Sequence, residues 1–169
     1  MASMSRYFSL LFVLAVLGCA TAPPIGYEEA RGEVILVRHG ETSGGGTDPA
    51  LSDAGVTRAR LLAETLPQVD RIFTTSYRRT KGTAEFAASR FGTSAETYDP
   101  RDLAGFASYL KELGGVSLVV GHSNTTGELV RLLGGDPGSP ISDSEYDRIY
   151  RVSLPSGSTR QDRYGASSN

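Results

Sequence analysis

The sequence predicts an α/β protein: a three-layer, doubly wound, mostly parallel sheet with helices on both faces and an antiparallel hairpin at the C-terminal end. Strand-like and helix-like patterns alternate four times in a row, which implies parallel strands joined by right-handed crossovers. The strand-like runs are short, apolar and rich in β-branched residues, as in strands buried on both faces. The last two extended segments, 148–154 and 158–164, are separated only by Pro155-Ser156-Gly157, a hairpin spacing.

The first strand is Val34-Ile35-Leu36-Val37, bounded by Gly32 and Gly40, and it delivers Arg38 and His39 at its carboxyl end. The glycines of the following loop, Gly44 to Gly46, permit close backbone approach to a ligand and equally suit a flexible connector. Ser52 reads as an N-cap, Leu51 and Val56 as a hydrophobic staple, and Val56, Ala59, Leu62, Ala63 and Leu66 as the buried stripe of a helix closed by Pro67. Residues 70–75 are the second strand. After Ser76-Tyr77-Arg78-Arg79-Thr80, a helical pattern runs through Ala84, Ala87, Ala88 and Phe91 to Gly92. The third unit is a strand at 96–98, then Asp99-Pro100 as N-cap and first helical residue, with Leu103, Phe106, Leu110 and Leu113 as the apolar face. The fourth is the run from Val116 to Val120, then Gly121-His122-Ser123, and a helix through Leu129, Val130, Leu132 and Leu133 that stops at Gly134-Gly135. Ser142-Asp143-Ser144-Glu145 has the spacing of a capping box and predicts one short helix before the hairpin.

The chain has 169 residues, 39% of them hydrophobic, enough for one domain with a sizeable core, and its net charge of −2 gives no electrostatic footprint for nucleic acid. Residues 1–18, with Arg6 before an apolar run from Phe8 to Leu17, read as a signal segment too short to span a bilayer comfortably. The run ends Leu17-Gly18-Cys19-Ala20, which resembles a bacterial lipobox. Cys19 is the single cysteine, without a disulfide partner, and is expected to carry the lipid; the alternative is a stray thiol in an uncleaved segment. Acyl chains, rather than the mature charge of −3 (16 basic against 19 acidic side chains), would hold the protein to the membrane. The expected organisation is therefore a signal peptide at 1–18, a lipidated cysteine and tether at 19–31, one domain at 32–165 and a tail at 166–169. The expected location is the extracytoplasmic or periplasmic side of a bacterial envelope.

Both histidines of the chain sit at strand exits, where ligands bind in open α/β sheets. Either alone could be a satisfied structural residue; the coincidence points to function. Arg38, His39, Arg79 and His122 gather at these exits. Arginine forks suit a tetrahedral oxyanion such as phosphate, although Arg79 alone could be a solvated cation at a helix start. A neutral imidazole can accept a phosphoryl group while another donates to its oxygens, and the N–H groups around Ser123 and Asn124 open the next helix.

These residues resemble the histidine phosphatase superfamily, also called the phosphoglycerate mutase-like family. Its nucleophile motif is present as Arg38-His39-Gly40, followed by Glu41-Thr42, its second signature as Thr75, Arg79, Thr83 and Ala84, and its late motif as Gly121-His122-Ser123. The resemblance spans roughly residues 33 to 154. It implies that His39 is the phosphorylated nucleophile, that Arg38, Arg79, His122 and Ser123 bind phosphate, and that neither metal nor other cofactor is needed. The implied substrates are phosphorylated small molecules or phosphoproteins.

The sequence departs from the family at the proton donor, because the insertion that usually carries an acidic residue is minimal here. Asp99 is the best-placed general acid, against its reading as an N-cap; Asp48, Glu41 and Glu128 are weaker candidates. Hydrolysis through a phosphohistidine is the expected reaction. The alternatives are a phosphomutase, which the short loops disfavour, a non-catalytic phosphate-ligand-binding lipoprotein, and a zinc site, which lacks a ligand set because the cysteine lies in the anchor.

Overall fold

A computed structural model describes residues 31–168, so Cys19, the signal segment and most of the tether lie outside the described residues. The elements in order are β1 (Gly32–Arg38), α1 (Asp53–Thr65), β2 (Arg71–Thr74), α2 (Arg78–Phe91), β3 (Ala95–Thr97), α3 (Leu103–Leu113), β4 (Gly115–Gly121), α4 (Ser123–Leu132), β5 (Arg148–Leu154) and β6 (Thr159–Arg163). They form a six-stranded sheet of order β3-β2-β4-β1-β5-β6. The first four strands are parallel, and β5 and β6 close it as an antiparallel hairpin.

The strand alternation divides the core in two. Val34 and Leu36 of β1 face one way and pack with Phe106 and Leu110 of α3 and Leu129 and Val130 of α4. Ile35 and Val37 face the other way and pack with Leu62 and Ala63 of α1 and Ala84 and Ala87 of α2. Helices therefore cover both faces, which is why β1 reads as continuously apolar. The connection leaving β1 passes over one face and that leaving β4 over the other. Since β1 and β4 are neighbours, their carboxyl ends flank the topological switch point, where a crevice opens in such sheets.

Three local expectations are corrected. Val56 is not in the buried stripe of α1 but 36% exposed, and Gly55 and Arg58 are buried in its place. The first turn of α1 lies against the loop after β1 rather than against the sheet, so closely that a Cβ on Gly55 would sit 2.1 Å from the Glu41 carbonyl oxygen. Asp99 is not the N-cap of α3. Its carboxylate accepts from the Arg101 N–H in a turn that contains Pro100, and the helix starts later, with the Asp102 side chain accepting from Gly105 N–H at 3.0 Å. Gly105 makes this cap possible, because a Cβ there would lie 2.5 Å from Asp102 Oδ2. Finally, 142–145 is a turn and not a helix. Its carbonyls accept from Arg38, a side chain at the switch point, which holds the segment as a turn in which only the Ser142 carbonyl also takes a backbone N–H, that of Glu145.

Candidate active site

The register of β1 on β4 builds the site. Arg38 pairs with Gly121, and the His39 N–H continues the ladder by donating to the Gly121 carbonyl at 3.0 Å. The next residue of each strand is a histidine, and the two rings meet edge to face with centroids 5.4 Å apart. On the other side of β4, Thr74 of β2 pairs with Val120, so Thr75 arrives beside His122, with Oγ1 3.0 Å from Nε2. Strand pairing thus assembles residues that are far apart in the chain.

Each imidazole has a defined tautomer. His39 Nδ1 lies 2.8 Å from the Gly40 carbonyl, an acceptor, so Nδ1 carries the proton and Nε2 presents its lone pair. The Gly40 peptide is fixed from its other side, where its N–H donates to Thr83 Oγ1 at 2.9 Å. An Nη2 of Arg79 lies 3.4 Å from His122 Nδ1; arginine can only donate, so His122 carries its proton on Nε2 and gives it to Thr75. Thr75 in turn meets the Thr80 hydroxyl at 2.9 Å. Sequence patterning does not single out Thr80, because a buried threonine in the first turn of α2 has no periodic signature.

Both histidines are nearly buried and held neutral. Burial is the main cause, with Arg38 and Arg79 adding their positive charge, and each pKa is pushed down from 6.5 to about 4. From the sequence the arginines alone would account for the direction; the enclosure by the folded chain outweighs them. A histidine-specific NMR titration is unambiguous with two imidazoles in the chain, and neither is expected to protonate above about pH 5. A midpoint near 6.5 for either would refute this environment. The unfolded chain takes up these protons from about pH 6.5 downward and the folded chain only near 4, so stability should fall as pH drops through that window.

Arg38 has two jobs. Its Nη1 donates to the carbonyls of Ser142, Asp143 and Glu145 at 2.8, 3.0 and 2.9 Å, tying the turn before β5 to the site. Its Nε is buried without a partner, one of two such side-chain atoms among the described residues. A buried guanidinium donor left open is costly unless a ligand completes it. Glu41, behind the loop, does not point its charge at a ligand: Arg58 grips both carboxylate oxygens at 2.7–3.0 Å and holds its pKa below the usual range.

The other carboxylates weighed as proton donors are also paired. Asp99 forms an exposed ion pair with Arg101 at 2.8 Å, which holds its carboxyl down at about 2, so the structure does not equip it as a general acid. Asp48 accepts from Arg78 N–H at 2.9 Å and lies 3.8 Å from Arg79, and Glu128 pairs with Arg131 on the surface of α4. Ser123 opens α4 directly after His122 and lines a hollow shared with Gly127 and Pro140. Among the described residues no group of three or more His, Cys, Asp or Glu could hold a metal ion, and no helix is long and apolar enough to cross a membrane.

Fold and site together define a doubly wound α/β protein whose switch point presents two neutral imidazoles and two guanidinium groups. The family model for the histidine phosphatase superfamily (branch 1) matches residues 34–101, the segment that carries Arg38, His39 and Arg79. That segment of the chain is similar to the superfamily. Solved structures agree in fold. The protein histidine phosphatase SixA complexed with tungstate is 22% identical, with a TM-score of 0.62 over 79% of this chain and 96% of that one. The putative phosphohistidine phosphatase SixA from Agrobacterium tumefaciens is 17% identical, with a TM-score of 0.61 over 79% and 97%. A putative alpha-ribazole-5'-P phosphatase from Escherichia coli is 15% identical, with a TM-score of 0.62 over 79% and 96%. No curated protein matches the sequence.

Proposed function

We propose that the chain is a metal-independent phosphohydrolase that cleaves phosphate monoesters or phosphoramidates through a phosphohistidine on His39. The observation that carries this is the fixed tautomer of His39, whose Nδ1–H is held by the Gly40 carbonyl and whose Nε2 is left free and neutral. The open Arg38 Nε and Arg79, the latter held by His122 Nδ1, would take the peripheral oxygens of the phosphoryl group, with charge placed where it develops in the transition state. The similar structures, described as a putative phosphohistidine phosphatase and a putative alpha-ribazole-5'-P phosphatase, support a phosphorylated substrate.

The substrate follows from what the site withholds. Asp99, Asp48, Glu41 and Glu128 are each engaged by an arginine, so none is set to protonate a departing oxygen, a service worth about 10²–10⁴-fold. Leaving groups that depart without a proton are favoured. A non-catalytic binding module would have no use for the fixed His39 tautomer, and a phosphomutase would need a closed site. We further propose that Cys19 anchors the domain to the outer face of a bacterial membrane, which membrane fractionation of a Cys19→Ser chain tests.

The deciding assay is turnover of a chromogenic aryl phosphate by the purified chain with and without EDTA. Equal release of phenolate and orthophosphate in both conditions is expected. No turnover, or turnover that EDTA abolishes and a divalent ion restores, would overturn the reading.

A further inference from the structure

The mouth of the site carries two tyrosines to which the phosphoryl chemistry gives no role. Tyr77, His122, His39 and Tyr146 form a row of four rings. Successive centroids lie 5.3, 5.4 and 6.1 Å apart, with interplanar angles of 89°, 68° and 55°. A guanidinium covers each end: Arg79 lies 4.3 Å from the Tyr77 centroid and Arg38 4.1 Å from that of Tyr146. The cluster of two imidazoles and two arginines is thus continued on both sides by aromatic rings.

Tyr77 stands where the sequence would be expected to place something else. It is the N-cap residue of α2, a position that Ser, Thr, Asp or Asn stabilises by about 1 kcal/mol through a side-chain hydrogen bond, and it makes no such bond. Its backbone is nevertheless pinned, since its carbonyl accepts from the Lys81 N–H and the Thr80 hydroxyl, so the ring is set on a rigid helix start. It is also 36% exposed, one of three large hydrophobic residues so exposed among those described. A forgone cap and an open aromatic ring beside a reactive centre are the local rule-breaking that functional positions show.

We propose that Tyr77 selects the leaving group, and that this group is a planar aromatic ring joined to phosphorus through a ring nitrogen or a phenolic oxygen. This rests on the phosphohydrolase reading and names the substrate class within it. His39 Nε2 forms the bond to phosphorus as the opposite P–N or P–O bond breaks, and the electron pair departs on the ring. A phenol leaves as phenolate, which solvent protonates; an imidazole already protonated on its second nitrogen leaves neutral. Water then attacks the phosphohistidine, returning neutral His39 and dihydrogen phosphate. Neither ring needs a proton from the protein, in keeping with the paired carboxylates, and both can stack on Tyr77, whereas an alkyl alcohol satisfies neither condition.

The test compares kcat/KM for phenyl phosphate, phosphoimidazole, acetyl phosphate and glycerol phosphate in the full chain, Tyr77→Leu and Tyr77→Phe. Acetyl phosphate has a good leaving group but no ring, so it separates stacking from leaving-group strength. In Tyr77→Leu the two ring substrates should fall about 2- to 13-fold, as expected for the loss of one aromatic pair, while acetyl phosphate stays within about twofold and Tyr77→Phe restores the ring substrates. Parallel losses on all substrates would make Tyr77 a mere support for Arg79 and His122, and unchanged ring substrates would remove it from recognition; either overturns the proposal. Turnover of none of the four by the unaltered chain would overturn the phosphohydrolase reading with it.

Discussion

His39→Ala should lower aryl phosphate turnover by about 10⁴-fold or more while leaving the chain folded, because it removes the atom proposed to bond phosphorus. The imidazole lies at the end of β1, where the Gly121 carbonyl fixes its backbone and the Gly40 carbonyl its ring, so deleting it leaves both arginines and the sheet in place. His122→Ala should cost less, on the order of 10²–10³-fold, since it removes the acceptor that holds the Arg79 donor and leaves the nucleophile. An alkaline quench during turnover should trap labelled phosphate on the peptide that contains His39. Label on His122, or substantial activity in His39→Ala, would exclude the mechanism.

Arg38→Met should damage both activity and stability. Three carbonyls of the 142–145 turn lose the Arg38 donor at once; that of Ser142 keeps the Glu145 N–H, whereas that of Glu145 loses a fully buried bond, and a buried polar group left unpaired costs about 1–3 kcal/mol. Because two of the three are only partly buried, a loss of about 3 kcal/mol in urea unfolding is expected, together with a fall in turnover of about 10²–10³-fold. Arg38→Lys should rescue neither fully, since a single ammonium cannot span the turn and a phosphate together. If Arg38→Met unfolds at the same urea concentration as the parent chain, the turn does not depend on the site. If inorganic phosphate inhibits both chains equally, Arg38 does not bind the anion.

Secondary structure was legible where apolar periodicity and punctuation agreed. The run 34–37, the N-cap at Ser52, the stop at Gly92 and the hairpin at 148–164 all come from local chemistry, so neighbouring residues suffice to specify them. The misread elements are those in which a distant partner competes for the same groups. Ser142 to Glu145 has the composition of a helix start, yet Arg38, more than a hundred residues earlier, claims its carbonyls. Asp99 has the Asp-Pro pattern of a cap, yet Arg101 takes its carboxylate and the helix begins at Asp102. Val56 belongs to the apolar stripe by periodicity, yet Gly55 must face Glu41 and turns Val56 outward.

The same division holds for function. By itself the sequence determined the α/β class, the placing of Arg38, His39 and His122 at strand ends and the resemblance to histidine phosphatases, because strand exits and short motifs are local patterns. Only the tertiary structure decided which nitrogen of each imidazole carries the proton, that the candidate acids are paired with arginines, and that Tyr77 and Tyr146 flank the two histidines. These depend on the pairing of β1 with β4 and of β4 with β2, which brings residues 38 to 41, 75 to 80 and 121 to 122 within a few ångströms, and burial then sets their protonation.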